Sequence, residues 1–350
     1  MKNYSQHLKT VKEPFKAWWR RENTQPLLYV PACWPKAADL PTPPAEPRAG
    51  WLKTDTIFAR ERAVARQVYW AGIDFPVYVP YPPTAGFFGA RTVFTNETLW
   101  HEPVLQGKEH PYVDLAFDAG HPDWQAASQT YTRLLGKARD EFYVSMPNFY
   151  SPLDLLESLR GGVGLGMDLI DIPDEVRAAQ QVILTAWRGM YDQCYRLRDG
   201  LIDGTCASFL PVWSPGRSYA IQCDFCCMIS SEHFEEFVVP EVEAQARWVN
   251  HSLFHLDGPG AARHADRLVQ IPELDGIQWQ KGVNGGSTLD WLPLLKKIQQ
   301  AGKIVIVDCR PEEVEPLCDA LRPEGLFIGT ACDTPEESDA LIDKILRRYK

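Results

Sequence analysis

The 350-residue chain has no uninterrupted apolar stretch near the roughly 18 residues a membrane-spanning helix needs, so no such span is expected. Its opening, MKNYSQHLKTVKEPFKAWWRR, lacks the apolar core of a signal peptide. Positive charge is scarce: 36 Lys and Arg face 46 Asp and Glu, for a formal net charge of −10, and the cations form no block. This balance argues against a nucleic-acid binder and against attachment to an anionic membrane. The nine cysteines are odd in number and scattered, which suits a reducing compartment rather than a disulfide framework. No internal repeat and no clean linker divides the chain. A single cytoplasmic domain is expected, with 45% hydrophobic residues to fill a large core.

What the chain does contain is a succession of short apolar, β-rich runs. They are PLLYVPA (26–32), FPVYVPY (75–81), FYVSMPN (142–148), TCASFLPVW (205–213), SLFHLDG (252–258), GIQWQKG (276–282), KIVIVDC (303–309) and GLFIGTAC (325–332). Near-continuous apolar strands alternating with helical patterns indicate a parallel sheet covered by helices. Eight such units favour a closed (β/α)8 TIM barrel spanning about 26–350, with residues 1–25 as an N-terminal extension decorating it. Residues 94–141, between the second and third strands, are too long for a plain crossover and are expected to form an insertion capping one mouth.

The helices carry their own punctuation. Pro173 with Asp174 and Glu175 marks one start, and Thr334-Pro335-Glu336-Glu337 marks another as a capping box. Pro240 should kink or divide the helix around it. Residues 33–50 read as an exposed Pro/Ala-rich loop. The glycine-rich RGGVGLGMD (160–168) follows a helical run rather than a strand, so it reads as a helix C-cap and turn, not a phosphate loop.

In a barrel enzyme, reactive groups project from the carboxyl ends of the strands. The stretch HLDGPG places His255 and Asp257 two residues apart, hence on one face of a strand, before Gly258-Pro259-Gly260 turns the chain away. Other strand ends offer Trp213, Arg217, Tyr219 and Asp224, then Gln278 and Gln280, then Asp308 and Cys309, and finally Cys332. His255, Asp257 and Cys332 make an N/O/S set suited to Zn²⁺, with a fourth position open to substrate. Asp257 has two readings, as a ligand or as an acceptor that orients His255. CDFCC (223–227) lacks a second cysteine pair, and burial of Cys226 and Cys227 explains it better than metal binding.

The stretches SPLDLLESLRG, IQCDFCCMISSEHFEEFVVPEV, LFHLDGPGAARHADRLVQIPELDGIQWQKG and LFIGTACDTPEESDALI together resemble the uroporphyrinogen decarboxylase-like superfamily, from about Pro26 to the C-terminus. The resemblance implies a barrel with its active site at the strand carboxyl ends. The arginines and the strand-two aspartate of the true decarboxylases are missing from PLLYVPACWP and FPVYVPYPP. The other branch comprises zinc-dependent methyltransferases that move methyl groups between corrinoid proteins and thiols. His255 falls on that branch's histidine and Cys332 on its last cysteine, whereas Asp257 stands where a cysteine is usual. On this resemblance the cofactors are zinc and a corrinoid, the latter as free cobalamin or on a partner protein. A small-molecule methyl donor and acceptor are also implied, Asp224, Tyr219 and Gln278 would orient the acceptor, and a homodimer is the expected assembly. The alternatives are a metal-free decarboxylase of a tetrapyrrole or polycarboxylate, and a tetrapyrrole- or corrinoid-binding protein without catalysis.

Overall fold

A computed structural model describes residues 4–34, 39–283 and 285–349. Part of the expected 33–50 loop, residues 35–38, lies outside them. Among the described residues, eight strands enter two parallel ladders: β1 (Leu27–Tyr29), β2 (Val77–Tyr78), β3 (Tyr143–Val144), β4 (Ser218–Gln222), β5 (His251–Asp257), β6 (Gly276–Gln280), β7 (Ile304–Asp308) and β8 (Leu326–Gly329). Six form one sheet in the order β1-β8-β7-β6-β5-β4, and β2 pairs with β3. The fold is therefore mixed α/β around a parallel sheet.

The two ladders are joined by side chains where strand pairing stops. The Asp74 carboxylate accepts the Val30 amide at 2.9 and 3.0 Å, linking the end of β1 to the entry of β2. The Tyr219 hydroxyl accepts the Phe149 amide at 2.7 Å, linking β4 to the chain beyond β3. Buried Arg198 donates to Val144 O at 2.8 Å and to Gly204 O at 2.9 Å, which ties β3 to the segment before β4.

One expected strand is misplaced. TCASFLPVW does not run in the sheet; Thr205–Cys206 and Trp213–Ser214 pair antiparallel as a small hairpin, and the parallel strand follows at Ser218–Gln222. Both stretches are apolar and short, so periodicity alone could not separate them. As a result Trp213 and Arg217 precede β4 and lie at its amino end. Arg217 pairs with Asp192 there at 2.6 Å.

Side-chain alternation divides the sheet into two cores. Tyr219, Ile221, Phe254, Leu256, Ile277, Trp279, Val305 and Val307 face the covering helices. Ala220, Leu253, Ile304, Ile306 and Phe327 face the opposite side. That second core is filled by helix α1 (Tyr4–Trp19), which inserts Val11, Phe15, Trp18 and Trp19, with Trp19 Nε1 donating to Trp213 O at 2.9 Å. The N-terminal segment is thus part of the interior rather than a decoration.

Residues 94–141 contribute the end of an antiparallel hairpin (Arg91–Phe94 with Leu99–Glu102) and a helix, Pro122–Lys137, packed on the helix Thr54–Gln67. The chain after the hairpin rests on helix α2 (Pro152–Arg160), where Leu159 O accepts the amides of Val104 and Leu105 at 3.0 and 2.9 Å. Only Gly161, at φ +82°, turns the chain after α2; the glycines that follow lie in helix α3 (Gly162–Asp171), held by buried Leu165 and Leu169. The expected turn over 160–168 is therefore a single residue. Around Pro240 the helical stretch is divided, as expected: a π turn over Phe234–Val238 precedes the helix Val239–Ala246, and Pro240 sits in its first turn, where no amide donor is needed. Pro173 and Thr334 occupy their helix starts, and Thr334 accepts the Glu337 amide in a capping box. Among the described residues, no helix is long and apolar enough to cross a membrane.

The hairpin supplies a pH prediction. His101 is buried, edge-on to Tyr150 at 5.7 Å, with Nδ1 3.2 Å from Thr92 Oγ1. Burial lowers its pKa from 6.5 to about 4. The unfolded chain therefore takes up a proton before the folded one does. Stability is retained above pH 6.5 and falls as the pH drops toward 4, by at most ~3 kcal/mol from this residue. Thermal melts from pH 7 to 4 should show this slope, and His101→Phe should flatten it.

Candidate metal centre

All six strands of the main sheet end at one edge, and the polar residues gather there. On β5, Leu253 belongs to the inner core; His255 and Asp257 continue the same face beyond it. The register places His255 between Gln222 of β4 and Gln278 of β6. Asp224, two residues past Gln222, opens a short 3-10 turn, Asp224–Met228. A ligand atom from each of Asp224, His255 and Asp257 comes within 4.8 Å of the others, with the carboxylates exposed and the histidine half-buried.

His255 is oriented from behind. Its Nδ1 lies 2.6 Å from Gln278 Oε1 and donates to it, since that oxygen can only accept. Gln278 in turn donates from Nε2 toward Asp308 Oδ2 at 3.5 Å. The Phe209 ring meets the imidazole edge-on at 5.1 Å, closing the apolar side. Nε2 is the nitrogen left for an ion. Burial raises the Asp308 pKa, with the Gln278 amide and His255 opposing that shift.

Beside the cluster lies a cleft of about 350 Å³, lined by Tyr150, Asp154, Glu157, Ser158, Gln222, Asp224, Phe225 and Met228. Its lining holds three carboxylates and no cationic side chain. Asp154 is raised to about 6 by burial and then by the charge of Asp224, although two backbone amides lower it. Desolvation raises Asp224; His255 opposes the shift and Asp257 adds to it.

The structure redistributes the roles read from the sequence. Asp224, His255 and Asp257 lie together at the strand ends. Cys332 is outside this group. It forms a bridge with Ala32, its amide donates to Pro31 O at 3.1 Å, and its thiol, raised by burial, lies against Ser338. Tyr219 is also outside it. Three residues before Gln222, it points to the opposite face of β4, is buried against Trp187 and Tyr191, and spends its hydroxyl on the 147–149 backbone. Gln278 is buried, with its Oε1 within hydrogen-bond distance of His255. Of CDFCC, Cys223 and Cys226 are buried, whereas Cys227 is half-exposed, contrary to the expectation for that residue. In the sequence Asp154 shows only its place in the first turn after Ser151-Pro152, a recognisable helix-start position.

Gly329 explains how Asp308 fits. A Cβ there would lie 2.0 Å from Asp308 Oδ1, so a larger residue on β8 requires that carboxylate to move. Gly329→Ala should displace Asp308 from Gln278 and destabilise the protein by about 1–3 kcal/mol. Denaturant unfolding would measure this loss, and an unchanged midpoint would show that the carboxylate has room to move.

The fold and this edge define an α/β protein with an acid- and histidine-lined site at the carboxyl ends of a parallel sheet. Among solved structures, a methyltransferase from Methanosarcina mazei shares the fold, with a TM-score of 0.64 and 12% identity, covering 97% of this chain and 99% of that one. Comparison with protein-family models and with curated proteins finds no match.

Proposed function

We propose that the eight strands close as a (β/α)8 barrel and that the chain is a zinc-dependent methyltransferase, moving a methyl group between a corrinoid and a small thiol or other acceptor. The observation that carries the reading is the convergence of Asp224, His255 and Asp257 at the strand carboxyl ends, with His255 held from its far nitrogen by Gln278. The fold shared over 97% of the chain with a methyltransferase supports it.

The donor set fits zinc. One imidazole and two carboxylates are acceptable ligands, and three protein ligands leave a position for substrate. When bound there, zinc would supply a Lewis acid that lowers the pKa of a substrate thiol or hydroxyl. The protein's own contribution is orientation: Asp308 and Gln278 keep His255 in one tautomer, and Phe209 shields one side of the ring. The adjacent cleft receives the acceptor. A corrinoid, free or carried by a small protein, would approach along the same edge.

The cleft also separates this reading from decarboxylation of a polycarboxylate. An anionic substrate needs cationic partners to offset its desolvation, and Asp154, Glu157 and Asp224 would repel it. Elemental analysis of purified protein should find zinc, and incubation with methylcobalamin and candidate thiols should consume the methyl–cobalt absorption. Zinc-free protein that leaves methylcobalamin intact but decarboxylates a polycarboxylate would overturn the proposal.

A further inference from the structure

We infer that Asp154 is a positioning residue, which holds Asp224 in the metal site by clamping the backbone beneath it. The inference rests on the metal reading above and adds a residue to it.

Asp154 lies in the first turn of α2, after the N-cap Ser151, and is 9% exposed. Its side chain leaves that helix for a neighbouring segment. Oδ2 accepts the amide of Asp224 at 3.1 Å, and Oδ1 accepts the amide of Phe225 at 2.9 Å. These two amides open the 3-10 turn Asp224–Met228, where no earlier carbonyl of the turn can receive them. One carboxylate therefore caps a turn that belongs to another part of the chain.

The clamp meets a specific need. Asp224 is exposed and stands among like charges, with Asp257 in the cluster and Asp154 behind it. Asp257 and Asp154 repel its charge while His255 attracts it, so charge alone does not hold the exposed carboxylate in one direction. Fixing the amides of residues 224 and 225 restricts the backbone on both sides of the Asp224 Cα, so its carboxylate stays near His255 and Asp257 before an ion arrives. Because α2 also carries the chain that follows the 91–102 hairpin, the clamp ties the metal edge to that covering layer.

Asp154→Asn keeps the size but presents an amide donor to one of two backbone donors. Outer partners of this kind change metal affinity by about 10–100-fold when lost. The test titrates Co(II) into the purified full chain as wild type, Asp154→Asn and Asp224→Asn, reading both affinity and the visible d–d spectrum. The inference expects 10–100-fold weaker binding in Asp154→Asn. At saturation, its spectrum should shift toward that of Asp224→Asn, because a misplaced ligand alters the coordination. Weaker binding with the wild-type spectrum would mean that only a nearby charge had been lost, and would overturn positioning. If the wild type itself takes no Co(II), the metal reading fails and the inference with it. If Asp154→Asn does not fold, hydrogen exchange on the wild type decides: the amides of Asp224 and Phe225 should be protected, and exchange at the rate of free backbone would overturn the clamp.

Discussion

Asp224→Asn and His255→Ala are each expected to lower zinc affinity by more than about 100-fold, beyond the usual loss for an outer partner, while leaving the fold intact. Each removes one of the three donors proposed for the ion among the described residues. The fold should survive because the parallel sheet is buried on both faces independently of that edge. On the proposed ligand set, Cys332→Ser should bind zinc as the wild type does, since the thiol is not part of the cluster and lies against Ser338. This trio of variants discriminates sharply between the ligand set read from the sequence and the one proposed from the structure. Elemental analysis after gel filtration, with chelator competition, gives the answer. Full zinc occupancy in both Asp224→Asn and His255→Ala would remove the site. Loss of zinc from Cys332→Ser would restore the cysteine as a ligand.

Trp18→Ala should be the most destabilising single truncation in the N-terminal segment, at about 3–5 kcal/mol. Trp18 is fully buried, stands edge-on to Phe327 of β8 at 6.1 Å, and packs against Trp19 at 4.8 Å. Its removal opens a cavity that the surrounding strands, tied by backbone pairing, cannot collapse to fill. A loss of this size is a large part of the roughly 5–15 kcal/mol that stabilises a typical domain. Chemical denaturation would measure it. A change below about 1 kcal/mol would show that α1 is attached to the surface and does not complete the inner core.

The sheet was largely legible in the sequence. Seven of the eight apolar runs overlap strands in the parallel ladders, because a strand buried on both faces must be apolar throughout. The exception, 205–213, has the same composition as a strand, and only its neighbours decide that it pairs with itself. His255 and Asp257 were legible for a similar reason: period-2 alternation is a local property, and the glycines and proline that follow mark the strand end. Tyr219 lies away from the cluster because the fourth parallel strand follows TCASFLPVW in the chain. With β4 at 218–222, alternation sets Tyr219 on the face opposite Ala220 and Gln222, and packing makes that the helix side.

What the sequence by itself determined is what depends on neighbours along the chain: the apolar strands, the capped helix starts and the shared face of His255 and Asp257. The tertiary structure alone decided the third member of the cluster, because whether Asp224 or Cys332 reaches His255 depends on where distant strand ends fall in space. It also decided that Gln278 holds the histidine, through a register between β5 and β6 that no local pattern encodes. The burial of α1 and the clamp of Asp154 on residues 224 and 225 were settled in the same way, by contacts between segments far apart in sequence.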